Sequence, residues 1–146
     1  MYHHILVGTD GSEHAQHSAD AALRLAKALG AKVTAVTVTD IMPTGPYSPV
    51  PWPATVEQYE ASAASFAEGV LARVRQRAAS LGIACNTHHS VDQSVAEGIL
   101  AAADEHGCDL IVLGAHSRHH GLSGWLLGSQ VNKVLSLARV PVLVCR

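Results

Sequence analysis

The chain has 146 residues, 48% of them hydrophobic, and its 10 basic and 12 acidic side chains leave a formal net charge of −2 at pH 7. That length suits a single domain, 1–146, which buries roughly 70% of the surface its unfolded chain would expose, so one core suffices without metal or disulfide help. The balanced charge, with no run of like sign, excludes the electrostatic footprint of a nucleic-acid or membrane-surface binder, and Cys85, Cys108 and Cys145, odd in number and widely spaced, exclude a disulfide framework or a thiolate zinc site.

The first segment, Met1 to Val7, has no charged leader followed by a long apolar stretch, and no segment approaches the eighteen or so apolar residues of a membrane span. A cytoplasmic, unprocessed chain is expected. Ile5-Leu6-Val7 ends in Gly8-Thr9-Asp10-Gly11-Ser12, a short apolar run with turn residues behind it, and predicts a buried strand. Ser12 is placed to cap a helix in which Ala15, Ala19, Ala22, Leu23, Ala26 and Leu29 recur at helical spacing before Gly30.

Lys32 to Thr39, rich in β-branched residues, predicts a second strand bounded by Asp40. Met42 to Ala54 is punctuated by Pro43, Pro46, Pro49, Pro51 and Pro53 and reads as a long loop. Helical spacing returns through Phe66, Val70, Leu71, Val74, Ala78 and Leu81, with Phe66 expected in the core, and a weak polar strand runs from Ile83 to Val91. A helix opened by Ser94 or Val95 stops near Gly107, and Leu110-Ile111-Val112-Leu113 is the clearest buried strand. After a loop from Gly114 to Leu127, Ser129 is expected to cap a last helix, and Val140 to Cys145 is the final strand.

Alternating strands and helices predict a doubly wound α/β domain: βαβ units, a mainly parallel sheet and helices on both faces. In such sheets ligands sit beyond the carboxyl ends of the strands. Two loops there carry the chemistry of an anion site. One is Thr9-Asp10-Gly11-Ser12; the other runs from Gly114 to Gly128-Ser129 at a helix start, where unpaired N–H groups and the positive end of the helix dipole would hold a phosphate. Gly-Ser before a helix is equally consistent with an ordinary cap. Neither the P-loop pattern nor G-x-G-x-x-G is present, which leaves Asp40 as a solvated carboxylate, and no G-x-S-x-G elbow supplies a nucleophile. No catalytic residue is therefore assigned and no dedicated catalytic activity is expected. Tyr47, Trp52 and Trp125 would cover the site or pack the loops.

The residues 1–12, Ala22 to Ala31, Cys108 to His116, Leu127-Gly128-Ser129 and Val140 to Val144 together resemble, in order, the universal stress protein family. The resemblance implies a five-stranded sheet in the order 3-2-1-4-5, a homodimer paired through the last strand (Val140 to Cys145), and a stress-response role. It also implies ATP binding, with or without Mg²⁺, through a G-x2-G-x9-G-[ST] motif: Asp10 and the Val38 backbone would hold adenine, while Gly114, Gly128 and Ser129 would hold ribose and phosphates. Thr9, His116, Gly121 and Gln130 are placed beside them in the same cradle. Here Ser117 replaces the second glycine and ten residues instead of nine separate it from Gly128, with Arg118 offering a further phosphate contact. Two readings stand side by side, an ATP-binding regulatory module and a nucleotide-independent stress or interaction dimer, with a slow ATPase as the less favoured third. No metal site is expected, since His116, His119 and His120 share only a loop, His14 and His17 a helix, and the neighbours His88 and His89 point to opposite strand faces.

Overall fold

The computed structural model describes residues 1–41, 55–115 and 128–146. The proline-rich segment and the middle of the glycine loop, with Tyr47, Trp52, Trp125 and the histidines of that loop, lie outside the described residues.

The elements follow in the order β1 (His4–Gly8), α1 (Glu13–Leu29), β2 (Lys32–Thr39), α2 (Val56–Ser80), β3 (Cys85–Val91), α3 (Val95–His106), β4 (Leu110–Gly114), α4 (Ser129–Leu137) and β5 (Val142–Cys145). Local chemistry sets their limits. Ser12 caps α1 by accepting from the Ala15 N–H, Thr55 and Gln58 form a reciprocal capping box at α2, and Ser94 accepts from the Glu97 N–H at α3. Gly30 and Gly107 end α1 and α3 in the left-handed conformation that glycine adopts without steric cost. The last strand begins two residues later than the sequence predicts, because Pro141 has no N–H; its carbonyl accepts from Ile111 and the ladder starts at Val142.

All strand pairs are parallel and the sheet order is β3-β2-β1-β4-β5, as the family resemblance implies. β1 is central and buried throughout, as expected of a parallel strand covered on both faces. On one face α1 and α2 close a core of Ile5, Val7, Leu23, Val33, Leu71, Val74 and Val112. On the other, α3 and α4 cover Leu6, Val36, Ile99, Ile111, Leu113 and Val134. Phe66 departs from expectation: it is 55% exposed. The buried stripe of α2 is Ala67, Val70, Leu71, Val74 and Ala78; Phe66 sits one residue, about 100°, off that stripe and turns to its flank.

The start of β4 is tied to the start of β1 by Asp109, whose carboxylate accepts from the N–H groups of His3 at 2.8 Å and His4 at 3.0 Å. Desolvation works against the charge, but these backbone donors outweigh it and hold the Asp109 carboxyl below its ordinary pKa. A carboxylate with a depressed folded-state pKa contributes stability above its unfolded pKa, and that contribution is lost as pH falls through the folded value. Asp109→Asn is therefore expected to lower stability by about 1 kcal/mol at pH 7, the scale of one such hydrogen bond. Urea unfolding from pH 7 down to pH 3 should show the wild-type advantage shrinking as the acid is titrated; a constant difference would contradict the assignment.

Candidate functional site

The β1–α1 turn is fixed by its own side chains. Thr9 is buried, donates its N–H to the Val36 carbonyl at 2.9 Å and accepts from the Gly11 N–H through Oγ1 at 3.2 Å. Exposed Asp10 accepts from the Ser12 N–H at 2.9 Å. Gly11 makes the turn possible: its φ is +80°, and a Cβ there would lie 2.9 Å from Val70 Cγ2. The chain thus leaves β1 toward α1 with the Asp10 carboxylate presented at the carboxyl end of the sheet.

Register places the other predicted residues along the same edge. Val7 pairs with Val112, and Gly114 lies two residues further along β4, where a Cβ would meet Ser18 Oγ of α1 at 3.1 Å. Val38, half-buried, pairs with Ser90 near the end of β2, and Asp40 beyond it is exposed, in keeping with its reading as a solvated carboxylate. The start of α4 lies beside the start of α3, to which Gln130 and Lys133 tie it. Ser129 was expected to cap it; instead Ser129 is its first helical residue and the cap position is Gly128, with φ −56° and ψ 151° and no side-chain hydrogen bond. No acidic residue stands in the first turn of α4. Among the described residues, then, no acidic side chain of that first turn neutralises its backbone donors and positive dipole end.

Gln130 is used differently from the other cradle residues. Its Oε1 accepts from the Ala96 N–H at 2.9 Å, at the start of α3, while Lys133 donates to Ser94 Oγ at 3.1 Å and to Glu97 at 3.0 Å. The side chain of Gln130 therefore fastens α4 to α3 and holds the α4 N-terminus in place. His116, Ser117, Arg118 and Gly121 lie outside the described residues.

Gly98, overlooked in the sequence, seats α3 against the site. A Cβ there would come within 2.9 Å of both Val38 methyls and 3.0 Å of Ser90 Oγ. An isolated glycine within a helical pattern is the signal that marks such close packing. The three cysteines are free thiols, and burial raises the pKa of each, Cys108 to about 11, so none offers a thiolate at neutral pH. A shallow cavity of about 160 Å³ between α3 and α4, lined by Leu100, Asp104, Leu137 and Arg139, lies at the opposite end of the strands and shares no residue with the cradle.

The fold is that of an open α/β domain with a crevice at the carboxyl ends of the strands, where α1 and α4 go to opposite faces of the sheet. The universal stress protein family model matches residues 1–146, and the chain belongs to that family. It is 35% identical over 155 residues to a universal stress protein of Thermus aquaticus, covering the full length of both chains. The universal stress protein UspA of Lactobacillus plantarum superposes with a TM-score of 0.80 at 26% identity, covering 99% of this chain and 98% of that one. A universal stress protein solved in complex with cAMP gives 0.72 at 26% identity, with 99% and 97% covered.

The packing at Gly98 generates a prediction. Gly98→Ala should force Val38 and the end of β2 away from α3, destabilising the fold by about 1–3 kcal/mol through overpacking. Chemical denaturation measures the loss, and pairing the change with Val38→Ala should recover part of it.

Proposed function

We propose that the chain binds an adenine nucleotide, ATP with or without Mg²⁺, and acts as a regulatory module of the stress response whose bound and empty states present different surfaces. The observation that carries this reading is the start of α4: a glycine at the cap position and, among the described residues, no side-chain cap and no acidic residue in the first turn, with the helix start held beside the start of α3. A phosphate fits such a terminus, accepting from the first-turn N–H groups with the Ser129 hydroxyl beside them. Thr9 and Asp10, with the backbone of Val38, would receive the base, and Gly114 the ribose. In the loop between, His116, Ser117, Arg118 and Gly121 would complete the phosphate contacts. The relative in complex with cAMP supports an adenine nucleotide as the ligand class.

A second reading, a homodimer whose partner recognition needs no nucleotide, is favoured by Ser117 in place of the motif's second glycine. Pairing through β5 is supported in either case, since β5 is an edge strand hydrogen-bonded only to β4 within the sheet and Leu143 on it is 41% exposed. The free thiols fit a cytoplasmic setting. No helix among the described residues is long and apolar enough to cross a membrane.

Calorimetric titration with Mg²⁺-ATP separates the two readings. The nucleotide reading expects saturable binding on the order of micromolar Kd, weakened at least about tenfold by Gly128→Glu, whose carboxylate would compete for the α4 donors. Absence of binding to nucleotide-free wild type would leave the nucleotide-independent dimer.

A further inference from the structure

Between the edge strand of the sheet and the last turn of α3 a second cluster forms that the nucleotide reading does not use. His88, on the edge strand β3, turns toward α3, whereas His89 turns the other way and bonds Thr39 Oγ1 at 2.7 Å. His106 is the last residue of α3. Folding brings the two imidazoles together: His88 Nδ1 and His106 Nε2 lie 3.1 Å apart, with ring centroids at 4.9 Å and planes at 76°. Exposed Glu105 stands beside them, and one ligand atom from each of the three residues falls within 4.8 Å of the others.

We propose that His88, Glu105 and His106 form a binding site for a divalent first-row transition metal of the zinc class. Two imidazoles and one carboxylate match the ligand preference of Zn²⁺, Ni²⁺ or Cu²⁺ over Mg²⁺ or Ca²⁺. Metal–nitrogen bonds of about 2.0–2.1 Å set ligand atoms about 3.3 Å apart in a tetrahedron, so the histidine pair already has nearly the required separation. The exposed Glu105 side chain closes the remaining gap by rotation about its own bonds. In the hydrogen bond between the rings one facing nitrogen donates and the other accepts; for a metal to bind, the donor ring moves its proton to its other nitrogen, so that both facing nitrogens present lone pairs. The charge balance is favourable as well, because the site lies at the C-terminal end of α3, where the helix dipole is negative.

The last turn of α3 is anchored beneath the site. The buried ring of His4 is bonded to Thr34 Oγ1 at 2.7 Å and lies beside the His106 backbone carbonyl, and Gly107 closes the helix through the Ala103 and Asp104 carbonyls. A ligand pair held by a strand and a helix of the rigid core loses less entropy on metal binding than one on a loop. The site was illegible in the sequence because His88 and His106 are 18 residues apart and meet only through the β3–α3 connection. Among the described residues His14 and His17, the pair with helical spacing, join no such group.

The test is titration of EDTA-stripped, full-length protein with ZnCl₂ in a non-coordinating buffer, beside His88→Gln, His106→Gln and Glu105→Gln, each checked for native circular dichroism. One equivalent should bind on the order of micromolar Kd in wild type, about tenfold or more weaker in either histidine variant, and more weakly in Glu105→Gln. In wild type alone, imidazole NMR should show the His88 and His106 rings shifting with that equivalent, a readout that needs no variant to fold. The proposal is overturned if wild type shows no saturable one-equivalent event, if both histidine variants bind as wild type does, or if other rings shift instead. Because the site shares no residue with the nucleotide cradle, either result leaves the ATP titration to be judged by itself.

Discussion

β1 is hydrogen-bonded to β2 on one side and to β4 on the other, and the chain leaves β1 and β4 toward opposite faces of the sheet. That divergence opens a crevice at the carboxyl ends, where Thr9 and Asp10 follow β1 and Gly114 ends β4. Asp109 secures the pairing at the amino end through the backbone of His3 and His4, while buried Thr9 secures the carboxyl end by bonding the Val36 carbonyl. The Gly11 turn then carries the chain to α1 without obstructing the crevice, since only a residue without Cβ fits its positive φ against Val70. Burial of β1 on both faces supplies the rigidity that such a site needs.

The helices on the α3–α4 face have a supporting part as well as a covering one. Gly98 lets α3 lie close enough to touch Val38, and Gln130 with Lys133 binds the start of α4 to the start of α3. The α4 N-terminus is thereby held in place from behind. The same α3 carries His106 at its far end, so one helix supports the crevice at its first turn and the histidine cluster at its last.

Much of this was legible in the sequence because it rests on local rules. Apolar runs ended by turn residues gave the strands, and Ser12, Ser94, Gly30 and Gly107 marked helix limits through chemistry confined to a few neighbouring residues. What was misread depended on contacts between distant elements. Phe66 fits a helical period yet falls off the buried stripe, because which face of α2 meets the sheet is decided by Leu71, Val74 and Ala78, which share a core with Val33 and Ala35 of β2. Ser129 resembles a cap but sits inside the first turn, and the bond from the Ala96 N–H to Gln130 joins residues of two helices that no local pattern relates. The metal-ligand geometry at His88 and His106 is a pure product of tertiary folding, for neither residue belongs to a recognisable motif.

The central claim, that the crevice between the β1 turn and the start of α4 receives an adenine nucleotide, is tested most directly by mapping amide chemical-shift changes as ATP is added to isotopically labelled protein. The account predicts saturable shifts at Thr9 to Ser12, Val38, Gly114 and Ser129 to Val131, with His88 and His106 undisturbed. Shifts confined to the cavity around Leu100 and Arg139, or none at saturating nucleotide, would contradict it.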